Sequence, residues 1–262
     1  MAEARATGMW VYGVMGADAP DMPPRAGVDG RHGVELVRND VLAAVASAVP
    51  LEEYRQEALE DRLDDLRELA ALARAHQGVL DAALRVGPVV PLRMCTIYES
   101  REQVRAMLDR ERRPLLDALR RVSGKAEWGV KVYLVPRAQA EQPASAPGER
   151  PASGIEYLSR KRAERDTAEV ARRATEATVE QIHDSLREHA LEATVSPPQD
   201  PHLSGDEREM VLNAAYLVRD AGADAFGSLV AGLARRHAPD GVVIELTGPW
   251  PAYHFAGAGS AG

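Results

Sequence analysis

The chain has 262 residues, of which 45% are hydrophobic and 27% charged, and it carries a formal net charge of −8. That balance belongs to a folded globular protein with room for two modest domains, and the acidic excess argues against a nucleic-acid surface as its main business. A single cysteine, Cys95, excludes an internal disulfide framework, and the longest apolar run, Val41 to Leu51, is far below the roughly 20 residues that span a bilayer.

In chain order, residues 1–7 read as a loose leader without the charged-then-apolar layout of a secretion signal, so a soluble cytoplasmic protein is expected. Met9 to Met15 is apolar and β-prone, and forms a first strand. Ala17 to Gly33, rich in Gly, Pro and Asp, is a loop. Val34 to Val37 alternates as a half-buried strand, Asn39-Asp40 turns the chain, and Val41 to Val49 is read as a third strand. From Glu52 the period becomes helical, with Tyr54, Leu59, Leu63, Leu66, Leu69 and Leu72 on one stripe. Gly78 is expected to interrupt that helix. Gly87 to Tyr98 reads as one strand, bulged or at an edge because of Pro91. Ser100 caps a helix over Arg101 to Arg121 that Pro114 should kink or split. Ser123-Gly124 ends it, and Trp128 to Val135 alternates as a strand.

Arg137 to Gly154 has almost no large apolar side chain and is read as a flexible linker. The expected domains are therefore 1–136, a mixed sheet with helices, and 155–262, a small α+β domain with ferredoxin-like elements. The second begins with a long helix, Ile155 to about Ala193, whose thin apolar seam runs through Thr175, Thr178, Ile182 and Leu186. A seam so poor in leucine suits packing along part of the length, or a short coiled-coil contact. Glu209 to Val218 is a strand candidate that also tolerates helix, and Asp220 to Arg236 is helical. A last strand from Gly241 should stop near Thr247, because Pro249 and Pro251 cannot donate ladder hydrogen bonds. Beyond it, Trp250, Tyr253 and Phe255 would anchor an extended tail, either on its own domain or on a partner.

Chemistry is sparse. Gly124-Lys125 lacks a phosphate-binding glycine loop, and His183 and His189, six apart, do not share a helix face as metal ligands. Tyr157 and Lys161 have dehydrogenase spacing, but no dinucleotide loop follows the first strand. Cys95 is either a reactive thiol or a small core residue. Arg160, Lys161, Arg162 and Arg165 are either an acidic-partner site or a solvated face paired with neighbouring carboxylates. No carboxylate pair stands out as acid and base. No cofactor, metal or small-molecule substrate is expected, and the chain is read as not an enzyme.

Several motifs occur together in one order. They are Trp10-Val11-Tyr12-Gly13-Val14, then His76-Gln77-Gly78-Val79-Leu80 followed by Val89-Val90-Pro91-Leu92-Arg93, then Trp128-Gly129-Val130. After them come Gly154-Ile155-Glu156-Tyr157-Leu158, Leu212-Asn213-Ala214-Ala215-Tyr216, and the closing Leu246-Thr247-Gly248-Pro249-Trp250-Pro251. The series resembles the gas vesicle protein F/L family, with Met94-Cys95 in place of Phe-Gly and Ala252 in place of a proline. The resemblance implies two α+β domains, the second ferredoxin-like, and a minor component of the gas vesicle that binds the small hydrophobic shell protein and other accessory proteins. It marks Arg93, Trp128, Tyr157, Trp250, Tyr253 and Phe255 as candidates for partner contact or domain docking. The alternative from another class is a ferredoxin-like small-molecule enzyme or sensor, and a third is a self-associating protein built on the 155–193 helix.

Overall fold

The computed structural model describes residues 6–135, 154–198 and 208–257. It is a mixed α+β chain whose contacts gather into two compact units, Met1–Glu127 with Gly248–Gly262, and Trp128–Thr247. The boundaries differ from those expected. The strand that begins at Lys125 joins the second sheet, so the chain leaves the first unit before 137, and its closing turn belongs to the first unit instead of the second. Residues 137–153 of the expected linker lie outside the described residues.

The first unit is organised on an antiparallel sheet. Strands β1 (Thr7–Gly16), β2 (Val34–Arg38), β3 (Leu42–Pro50) and β4 (Val90–Pro91) lie in the order β2-β3-β1-β4, and β5 (Ile97–Tyr98) also pairs with β1. Successive residues of β1 and β3 are buried; because side chains alternate between faces, both faces of these strands are covered. Helix α3 (Leu66–Val86) supplies Leu72, Val79, Leu80 and Ala83 to the core around Trp10 and Tyr12. Helices α4 (Arg101–Arg110) and α5 (Arg112–Val122) pack on the same sheet. The Ser100 hydroxyl accepts from Gln103 N, as a cap should, and the helix splits at Glu111, placing Pro114 in the first turn of α5 where its missing N–H costs nothing.

Three expectations for this unit need correction. The stripe from Glu52 is not one helix: α1 (Leu51–Tyr54) and α2 (Gln56–Asp64) precede α3. Asp65 restarts the helix by accepting from Arg67 N and Glu68 N, which re-phases the stripe and leaves Leu66 79% exposed. Gly78 does not interrupt α3; its carbonyl takes a 2.6 Å hydrogen bond from Arg25 Nη1. Finally, 87–98 is no single strand. The chain leaves β1 at a turn where Cys95 sits at φ 67° and returns as β5.

The loop between β1 and β2 is pinned through a bulge. Val11 opposes Ala46 and Gly13 opposes Val45, which makes Tyr12 the extra residue of β1. Its hydroxyl lies 2.8 Å from Ser47 Oγ and accepts from Val28 N at 2.9 Å. Gly27 passes so close that a Cβ there would lie 2.2 Å from Ser47 Oγ, so no other residue fits without moving the loop.

The second unit runs β6 (Lys125–Leu134), α6 (Gly154–Arg187), β7 (Glu192–Ser196), β8 (Glu209–Arg219), α7 (Ala223–His237) and β9 (Val242–Trp250), with sheet order β7-β8-β6-β9. Its core joins Val130 and Val132 to Ile182, Leu186, Tyr216 and Phe226. Among the described side chains of α6, the buried ones, Ile182 and Leu186, lie in its last turns, and Val170 is 67% exposed. The helix ends at Arg187, not Ala193, because Leu191 N donates to Leu217 O and the chain enters a strand the 3.6-residue reading missed. β9 likewise runs past Thr247 to Trp250. It is an edge strand, where a proline is tolerated, and Gly248 at φ 120° carries the turn of backbone that other residues resist.

Candidate functional site

The closing segment is compact where an extended tail was expected. Tyr253 N donates to Pro251 O, and the amides of Phe255 and Ala256 donate to Ala252 O. This turn buries Ala252, Phe255 (4% exposed) and Ala256, while Tyr253 stays 41% exposed. It is clasped by Glu127, a buried carboxylate that accepts from His254 N at 2.9 Å and meets His254 Nδ1 at 2.7 Å. Tyr253 Oη donates to Gln77 Oε1 at 3.3 Å, and Gln77 Nε2 in turn donates to Asp81 at 2.7 Å. Burial raises the Tyr253 phenol above its ordinary value, with Asp81 and Glu127 adding to the effect.

A buried carboxylate is costly unless hydrogen-bonded, so Glu127 and the tail hold each other. Changing Glu127 to glutamine is expected to weaken local closure of the tail by about 1.5–3 kcal/mol, the range for hydrogen bonds to a charged group. Hydrogen exchange at residues 253–256 checks this: their amides should exchange about tenfold faster or more, with the β1 amides unchanged.

A second polar cluster lies under α3. Trp10 Nε1 donates to His76 Nδ1 at 3.0 Å, and the two rings pack edge-on at 6.0 Å. Burial pushes the His76 pKa down to about 4, the Leu92 backbone acting the other way. The folded chain therefore keeps this ring neutral where the unfolded chain, near 6.5, takes up a proton. Stability is full above pH 6.5 and falls as pH drops through the window from 6.5 to 4, by roughly 1.4 kcal/mol per pH unit at the steepest. Urea midpoints measured across that window should fall less for His76→Gln, which keeps an acceptor for Trp10 but does not titrate.

The expected site residues do not converge on one place. Trp250, Tyr253 and Phe255 share the clasped segment. Arg93 is exposed on the turn between β4 and β5, where its carbonyl accepts from Thr96 Oγ1 at 2.7 Å. Trp128 is half-buried on β6 against the second core, its indole N–H without a hydrogen-bond partner among the described residues. Tyr157 lies on α6, its side chain outside the described residues. Cys95 is half-buried with its thiol raised by burial, Arg62 opposing, which favours the unreactive reading. Among the described residues no group of three or more His, Cys, Asp or Glu is placed to hold a metal ion, and no helix is long and apolar enough to cross a membrane. Glu127 and His254, which clasp the tail, drew no notice in the sequence. The only signal was a charged residue directly ahead of an alternating apolar strand.

This architecture recurs in solved gas vesicle proteins. The crystal structure of GvpF from Anabaena sp. PCC7120 superposes with a TM-score of 0.66 over 95% of this chain and 96% of that one, at 20% identity. GvpF from Microcystis aeruginosa gives the same score and identity over 95% and 98%. The fold is thus that of an α+β gas vesicle protein with antiparallel sheets. Sequence supplies the family. Gas vesicle protein L of a Streptomyces species is 40% identical over 237 residues, 87% of each chain, and gas vesicle protein F of the same organism is 28% identical over 258 residues. Residues 8–257 match the family model "Gas vesicle synthesis protein GvpL/GvpF", and the chain belongs to that family.

Proposed function

We propose that this chain is an accessory protein of gas vesicle formation that binds the small hydrophobic shell protein and assists its assembly into the vesicle. The observation that carries the reading is the family match from residue 8 to residue 257, which includes both compact units and the clasped aromatic segment. In this account the protein is cytoplasmic until it joins the vesicle, works alongside other accessory proteins, and transforms no substrate. The second unit acts as a ferredoxin-like domain; its β-α-β-β-α-β succession with order β7-β8-β6-β9 supports that reading. Tyr253, exposed on a segment that is otherwise anchored, is the foremost contact candidate, with Trp250, Arg93, Trp128 and Tyr157 as the others. An apolar polypeptide awaiting polymerisation needs its surface covered, and an aromatic ring on a rigid turn offers large area at little entropic cost.

Deletion of the gene in a host that makes vesicles tests the role. Loss of buoyant vesicles, restored by the full chain from a plasmid, is the expected result. Normal vesicle yield in the deletion strain contradicts it.

A further inference from the structure

Two clefts on the first unit adjoin along α5 and share Leu116 and Arg120. One, of about 460 Å³, is lined by four arginines, Arg110, Arg112, Arg113 and Arg120, against Asp109 and Asp117. The other, of about 480 Å³, has a mainly apolar floor that includes Met15, Val86, Pro88 and Leu119, with Asp18 and Arg120 as its charged lining residues. We propose that this groove is a docking site for an acidic amphipathic helix of another polypeptide. The inference stands whether or not the shell protein is what the chain binds, since it concerns a different surface from the clasped tail.

Arg112, Leu116 and Arg120 follow one another at i, i+4 and i+8, so they form a single row along α5, with Arg113 beside its start. The row is half-buried at Leu116 and exposed at each arginine. Charge accounting then separates the arginines. Arg110 is held by Glu111 at 3.0 Å and Arg120 by Asp117 at 2.6 Å, while Asp109 accepts from Asn39 Nδ2 at 2.7 Å. Arg112 and Arg113 have no ion pair among the described residues, and the one carboxylate at the start of α5, its N-cap Glu111, is the group that Arg110 engages. Two guanidinium groups without an ion pair among the described residues thus stand at one end of an apolar floor, on a chain whose net charge is −8.

That pattern selects its occupant. Guanidinium groups are weakly hydrated and form bidentate pairs with carboxylates, which calls for an acidic ligand. The apolar floor beside them gains from a ligand that also carries a hydrophobic side, which a nucleic-acid backbone lacks. A helix with carboxylates on one flank and leucines at i, i+3 and i+4 satisfies both at once. Its apolar row would lie over Leu116 and the floor around Leu119, and its carboxylates would meet Arg112 and Arg113.

The test uses the full chain and a synthetic amphipathic helix of glutamate and leucine, labelled for fluorescence anisotropy. Saturable binding is expected, weakened roughly tenfold or more by the double change Arg112→Glu and Arg113→Glu, since like charges placed together oppose docking. Leu116→Gln should weaken it as well, and a lysine-leucine helix or polyglutamate should bind at least about tenfold less tightly. All these substitutions lie on exposed or half-buried positions, and thermal melting confirms that the variants fold. Absence of saturable binding, indifference to the arginine reversal, or equal competition by a single-stranded oligonucleotide would overturn the proposal. Self-association of the chain in sedimentation that the same reversal abolishes would overturn it too, by making a second copy the occupant.

Discussion

Replacing Trp10 with alanine is expected to destabilise the first unit by about 3–5 kcal/mol, the range for removing a fully buried indole. Trp10 is wholly enclosed on the central strand, meets Tyr54 edge-on at 5.9 Å and donates its N–H to His76. Truncation removes the apolar area, opens a cavity under α3 and strands the His76 acceptor in a site water does not reach. Urea unfolding followed by circular dichroism measures the loss. Trp10→Phe separates the contributions: it keeps most of the ring volume, so the remaining deficit, about 1–3 kcal/mol, reports the orphaned histidine and the smaller ring.

The second large effect falls on α6. Leu186→Ala should cost about 2–5 kcal/mol, because Leu186 is fully buried among Ile182, Tyr216 and Phe226 in the second core. Val170→Ala, on the same helix but 67% exposed, should change stability by no more than about 0.5 kcal/mol. Denaturation of the two variants side by side checks whether the helix is secured only by its last turns. A large effect at Val170 would mean that the exposed part of α6 is covered in solution, as a self-associating helix requires.

Local periodicity in this chain reports strands and helices well where a single pattern governs them. The runs at 9–15 and 41–49 became β1 and β3, and the Ser100 cap and the split near Pro114 are both present. Errors gathered where a polar side chain or a long-range pairing decides the outcome. Asp65 restarts a helix by capping it, an effect that a hydrophobic stripe cannot register. Arg25 supports Gly78 from a loop 53 positions away, so the glycine that should end α3 sits inside it. β7 was hidden because Leu191 to Ser196 is specified by its pairing with β8, not by an alternation of its own. The tail's aromatic residues were conspicuous in composition, yet their anchor, Glu127, lies 127 positions upstream of His254 and carries no local sign of burial. Family resemblance was legible for a related reason: its motifs sit on β1, on α3 with β4, on β6, on α6, on β8 and on β9, elements that depend on one another across the chain.

The account stands or falls on whether the chain holds another gas vesicle polypeptide. Coexpression of the full chain with the shell protein, followed by affinity purification under native conditions, measures that directly. The account predicts that the shell protein copurifies with the chain and that Tyr253→Ala reduces its recovery without unfolding either unit. Clean recovery of the chain alone, with the shell protein present in the lysate, would contradict it.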